Sequence, residues 1–69
     1  MKRSYQAMPS ENKWVVRNDH SWGVLHSTQF EAWREAKRLA RGSGGIATLL
    51  AANGEVQERL SFSKRQERL

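Results

Sequence analysis

Thr28-Gln-Phe-Glu-Ala-Trp-Arg-Glu-Ala-Lys-Arg-Leu-Ala-Arg41 is the stretch on which the fold turns. At about 100° per residue, Ala32, Trp33, Ala36, Leu39 and Ala40 fall on one stripe of a helix. Arg34, Lys37, Arg38 and Arg41 fall on the opposite stripe. Thr28 followed by Glu31 is a capping box, in which side chains satisfy backbone N–H groups that a helix start leaves without partners. Gly42-Ser-Gly-Gly45 closes the helix, because glycine reaches the left-handed conformation at low cost. An apolar stripe of this kind must bury against another layer, so the helix organises the fold.

The chain on either side of the helix reads as strands. Ser4–Met8 is a short strand, stopped by Pro9. Residues Pro9 to Asn12 form a turn, with Asn12 as the residue that tolerates tight geometry. Trp14-Val-Val-Arg17 is β-branched and aromatic and reads as a second strand. After the polar turn Asn18–Ser21, Trp22-Gly-Val-Leu-His26 is a third, with Gly23 marking a weak point or a bulge. Beyond the helix, Ile46-Ala-Thr-Leu-Leu50 is a fourth strand and Glu55–Phe62 a fifth. Asn53-Gly54 between them predicts a two-residue type I′ turn, which needs positive φ at both central residues. Val56, Leu60 and Phe62 share a face of the fifth strand, with Glu58 an awkward member of that set.

The order β-β-β-α-β-β implies an α+β fold: an antiparallel sheet packed on a single amphipathic helix. The expected core is Trp14, Val16, Val24, Trp33, Ala36, Leu39, Ala40, Ile46, Leu49 and Val56. The 69 residues make one small domain, with a structured core over about 4–62 and a polar basic tail at 63–69. A chain this short buries only about 60% of its unfolded surface and is marginal without help. The absence of cysteine excludes disulfides and cysteine-ligated zinc. No run approaches the roughly 20 apolar residues of a membrane span. Met1–Gln6 lacks the apolar core of a signal peptide. The expected location is the cytoplasm, with no membrane partner.

The formal charge is +5, with a pI near 10.5. The excess lies on the helix and the two chain ends, whereas residues 42–63 are slightly acidic. Such a balance favours polyanions or acidic protein surfaces as partners. The helical cations, with Lys2, Arg3, Lys64 and Arg65 as arms, suit a phosphate backbone. They equally suit a solvated helix face, since Glu31 with Arg34 and Glu35 with Arg38 are i,i+3 pairs. Trp14 and Trp33 read as core. Trp22, beside a polar turn, and Phe30, near the helix start, are the aromatics with a chance of exposure, where they would anchor a protein interface or stack on bases.

Catalytic signatures are missing. His20 and His26 make no zinc site without further ligands, and no nucleophile elbow is present. The glycine loop leaves a helix C-terminus, the wrong polarity for a phosphate cradle. The expectations are therefore no enzyme, no metal and no cofactor.

Tyr5 to Pro9, Trp14-Val-Val, Thr28-x-x-Glu-Ala, Ala36-Lys-Arg-Leu-Ala40, Gly44-Gly45 and Asn53-Gly-x-Val56 follow one another in a recognisable order. The chain resembles a small bacterial and phage family known only as a domain of unknown function (family twenty-one eighty-eight). The resemblance covers roughly residues 4–60. It departs in the opening strand, Tyr5-Gln-Ala-Met-Pro9, which lacks the family's histidine, and at Lys13, where a glycine would precede Trp14. It implies a compact single-helix α+β domain and no activity.

The leading functional expectation is a non-enzymatic interaction module, a bacterial or phage accessory protein that docks on a larger protein partner. The alternative is a nucleic-acid binder that uses the basic helix face. The residues expected to serve either role are Arg34, Lys37, Arg38, Arg41, Trp22, Lys64 and Arg65. A homodimer fits both, with Ser4–Met8 or Glu55–Phe62 as the pairing edge.

Overall fold

The computed structural model describes residues 3–18 and 22–62. Five strands and one helix follow in the expected order: β1 (Ser4–Ser10), β2 (Lys13–Arg17), β3 (Trp22–His26), α1 (Gln29–Ser43), β4 (Ile46–Leu50) and β5 (Val56–Ser61). They form one five-stranded sheet in the order β3-β2-β1-β4-β5, with α1 on one face. The fold is α+β, as the sequence pattern implies. Three of the pairings are antiparallel, and β1 with β4 is parallel. The parallel pair follows from the helical crossover. The helix returns the chain to the end of the sheet where β1 begins, so Ile46 enters opposite Ser4 and runs the same way.

The same crossover corrects two expectations for the first strand. β1 is central, so Ser4–Met8 is not an edge; the edges are β3 and β5. Nor does Pro9 end the strand, which continues to Ser10 with Pro9 opposite Trp14. Pairing with β4 ends at Ala7, so Pro9 sits where one of its two ladders has already stopped.

The helix begins where the capping residues put it. Thr28 is extended, with φ −132° and ψ 157°, and its Oγ1 accepts the Glu31 N–H at 3.1 Å. The end lies later than Arg41: Gly42 and Ser43 are helical, and Gly44 takes the left-handed conformation at φ 73°. Two turns differ from their sequence reading. Between β4 and β5 the Ala51 N–H donates to the Glu55 carbonyl at 2.7 Å and closes a three-residue loop over 52–54, in which the Gly54 N–H donates to the Ala51 carbonyl at 2.9 Å and Gly54 alone has positive φ. In the β1–β2 hairpin the positive φ of 57° falls on Glu11, not on Asn12.

The layer between helix and sheet is built from small residues. Ala7, Ala32, Ala36, Ala40 and Ala47 are all fully buried. Alanine lets helix and sheet backbones approach closely, and Tyr5, Val16, Trp33 and Leu49 fill the space around the contact. Trp14 and Leu39 pack against this core from its rim, joined by Leu60 and Phe62. Of the other expected core residues, the side chain of Val24 lies outside the description, and Ile46 is half-buried opposite Ser4 and Ser61 on the far face of the sheet. Val56 is not core at all, being 63% exposed. Between Leu49↔Glu58 and Leu50↔Val56 the register slips by one residue, a bulge at Gln57 that turns Val56 away from the face of Leu60 and Phe62.

Candidate functional site

The outward face of α1 carries the four expected cations, and their surroundings differ. Arg38 is held by Glu35 one turn earlier, with Nη2 to Oε2 at 2.8 Å and Nε to Oε1 at 3.3 Å. That pairing uses two of the five guanidinium N–H donors and offsets part of the charge locally, while the Arg38 side chain stays 69% exposed. Lys37 is half-buried and lays its Nζ over the Trp33 ring, 5.2 Å from the centroid. Its methylenes cover the apolar stripe while its ammonium meets the ring face. Arg41 sits 5.6 Å over the Phe62 ring, tying the last helical turn to the residue that leaves β5. Arg34 is exposed and contacts none of these groups.

Thus the helix brings together the four cations that the sequence places there, yet three of them already serve contacts within the molecule. Lys64 and Arg65, like Lys2, lie outside the described residues. Trp22 opens β3 opposite Arg17, and its side chain also lies outside the description.

Phe30 completes this face. It is 66% exposed in the first helical turn, the most exposed of the large apolar side chains among the described residues. Phe30, Arg34, Lys37 and Arg41 follow at i, i+4, i+7 and i+11, one continuous stripe along the outer surface of the helix. Leaving a phenyl ring in water forgoes about 1.5–3 kcal/mol of burial.

Beside this stripe a groove of ≈ 330 Å³ runs between helix and β3, lined by His26, Glu31, Arg34, Glu35 and Arg38. The Nε2 atom of His26 is buried there without a hydrogen-bond partner among the described residues. One imidazole with two carboxylates does not amount to a metal site: among the described residues no group of three His, Cys, Asp or Glu side chains is arranged to hold an ion. No described helix is long and apolar enough to cross a membrane.

The second surface was not foreseen from the sequence. The sheet face away from the helix has no second layer among the described residues. By alternation along the strands it presents Gln6, Met8, Val15, Arg17, Thr48 and Leu50, together with their registered partners Leu25, Arg59 and Val56. Val15 and Thr48 are buried there by their neighbours alone, whereas Leu25 is 53% and Val56 63% exposed. The signal that reveals this face is strand register, which depends on the bulges at β3 and at Gln57.

No curated protein and no solved structure matches the chain. Residues 5–62 match a family described as uncharacterized proteins conserved in bacteria (DUF2188), and with most of its length covered the chain belongs to that family.

Proposed function

We propose that this member of the family is a small non-enzymatic interaction module, an accessory protein of the bacterial or phage cytoplasm that docks on a larger protein through the outer face of α1. The observation that carries the reading is Phe30, two-thirds exposed at the head of a stripe that continues as Arg34, Lys37 and Arg41. An aromatic anchor flanked by arginine is the composition in which interface hot spots concentrate. The partner surface that suits it has an apolar pocket for the ring and acidic groups for Arg34.

Nucleic acid is the weaker reading of the same face. Counterion release rewards cations free to meet phosphates. Here Glu35 offsets part of the Arg38 charge, and Lys37 and Arg41 lie over aromatic rings, contacts each would have to leave to meet a phosphate. Glu31 and Glu35 would themselves repel a polyanion.

The test is capture of a partner from a nuclease-treated lysate of the native host at 200 mM salt, a condition chosen at about twice the 0.1 M at which the Debye length is about 10 Å. Phe30→Ala should cut capture by roughly thirtyfold, the loss expected for a hot spot of about 2 kcal/mol. A complex that forms equally well with Phe30→Ala refutes the reading. So does a complex that disappears when nucleic acid is digested.

A further inference from the structure

The sheet face opposite the helix breaks the pattern expected of a solvated face. An antiparallel sheet with one wet side alternates apolar-in with polar-out. Here a row of apolar side chains crosses the wet side from edge to edge. Val15 lies between Leu25 on β3 and Met8 on β1. One step beyond the registered pairs of β1 with β4, Met8 stands beside Leu50, and Leu50 is paired with Val56 on β5. The row thus spans all five strands, about 19 Å at the usual 4.8 Å spacing. Its two ends, Leu25 and Val56, are its most exposed members.

Cations border the row on both sides. The next row toward the start of β1 is Arg17–Gln6–Thr48–Arg59, in unbroken register. Its two arginines are exposed, and their backbones lie three strand spacings apart, about 14 Å. On the other side Lys13 is exposed, two residues from Val15 along β2. Among the described residues no carboxylate stands on the strands of this face. Glu11 and Glu55 lie in turns, and Glu58 is registered with Leu49, which belongs to the core beneath the helix.

From this we infer that the open face is a second docking surface, independent of the outer face of α1, and that it takes an acidic amphipathic helix of a protein partner. The helix lies along the row with its apolar stripe down. Its flanking carboxylates meet Arg17 and Arg59 on one side and Lys13 on the other. The dimensions fit: from Arg17 to Lys13 the strand runs about 14 Å, against about 10–12 Å for the breadth of a helix with its side chains. The length of the row takes about 13 residues at 1.5 Å each. Such a helix supplies the layer that the sheet lacks, as in folds with helices on both faces.

Charge disfavours the rival occupants. A second copy of the sheet face would set the same three cations, with no strand carboxylate, against their like. The outer face of α1 from a second copy would bring Arg34, Lys37 and Arg41. A phosphate backbone would meet the arginines but leave the apolar row uncovered, and that row has no aromatic ring for a base to stack on.

Titration of the full chain with three fluorescent peptides, read by anisotropy, tests this inference. Each peptide has about 15 residues, the same leucine stripe and a lactam staple, because an isolated helix of that length is marginal in water. Glutamate, lysine or glutamine flanks the stripe. The glutamate peptide should bind at roughly 10–100 μM, as suits an interface below standard size. The lysine peptide should bind at least about tenfold more weakly, with the glutamine peptide between them. Arg59→Glu should weaken the glutamate peptide at least about fivefold and strengthen the lysine peptide, a reversal that misfolding cannot produce. Leu25→Gln and Val56→Gln, at exposed positions on opposite edges, should each weaken the glutamate peptide at least about fivefold by burying an amide. Far-UV circular dichroism checks that the variants keep the fold. Glutamate-peptide binding that ignores Arg59→Glu and Leu25→Gln belongs to another surface and overturns the inference. Equal binding of the three peptides, or no binding of the glutamate peptide at about 1 mM, overturns it too.

Discussion

Glu11 shows how much a single residue can carry. Its φ of 57° places it in the left-handed region, at the first central position of the two-residue β1–β2 loop. A β-carbon there costs on the order of 1 kcal/mol, and glycine is the residue that removes it. Glu11→Gly is therefore expected to stabilise the domain by about 0.5–1 kcal/mol, less than the full relief because glycine also loosens the unfolded chain. Urea denaturation measures it; a midpoint that falls would mean that Glu11 sits there without strain. The sequence pointed at the neighbouring asparagine because composition marks the turn but not which residue takes the special φ. The charged residues teach a similar lesson. Helical spacing correctly puts Arg34, Lys37, Arg38 and Arg41 outside. It also foretold the Glu35–Arg38 pair, but it does not reveal that Lys37 lies on Trp33 or Arg41 on Phe62, since Phe62 is brought to the helix only by the sheet.

At the level of elements, local chemistry was enough for the helix and its cap. Thr28 and the alternation of alanines with charged residues act within a few residues of one another, so periodicity sees them. The glycines at the far end differ in ways that composition hides. A methyl group on Gly42 would meet nothing within 4 Å, and the residue is helical. Gly45 is packed so closely that a β-carbon would stand 2.3 Å from the Arg3 carbonyl oxygen, which accepts the Ile46 N–H. Gly42→Ala should raise stability by about 0.5–1 kcal/mol, while Gly45→Ala should lower it by about 1–3 kcal/mol through backbone displacement. Thermal melts of the two variants should move in opposite directions, and parallel shifts would contradict the placement. Bulges were the least legible feature. Gly23 hinted at one, and its own close approach to the Val16 carbonyl bears the hint out. Nothing in Val56-Gln-Glu-Arg59 announces the slip at Gln57 that turns Val56 outward, because a bulge is settled by pairing with a strand distant in sequence.

For the whole molecule, the pattern of elements was readable and the order of strands was not. Element type follows from local periodicity, whereas putting β1 in the centre depends on where the helical crossover lands. That topology creates the two surfaces on which function is argued. One is the outer helix face, where, among the described residues, a phenyl ring and Arg34 are exposed and the other three cations contact groups of the molecule itself. The other is the sheet face, whose apolar row was invisible until register was known. On the proposed function, the basic face docks a protein and does not hold a polyanion. Titration of fluorescent duplex DNA, single-stranded DNA and RNA at 50 and 200 mM salt tests it most directly, because phosphate neutralisation makes affinity fall steeply over that range. A protein-docking face gives no binding, or weak binding at the lower salt that vanishes at the higher. Binding at about micromolar strength or tighter that persists at 200 mM and is abolished when Arg34 and Arg38 are both changed to glutamate would contradict it.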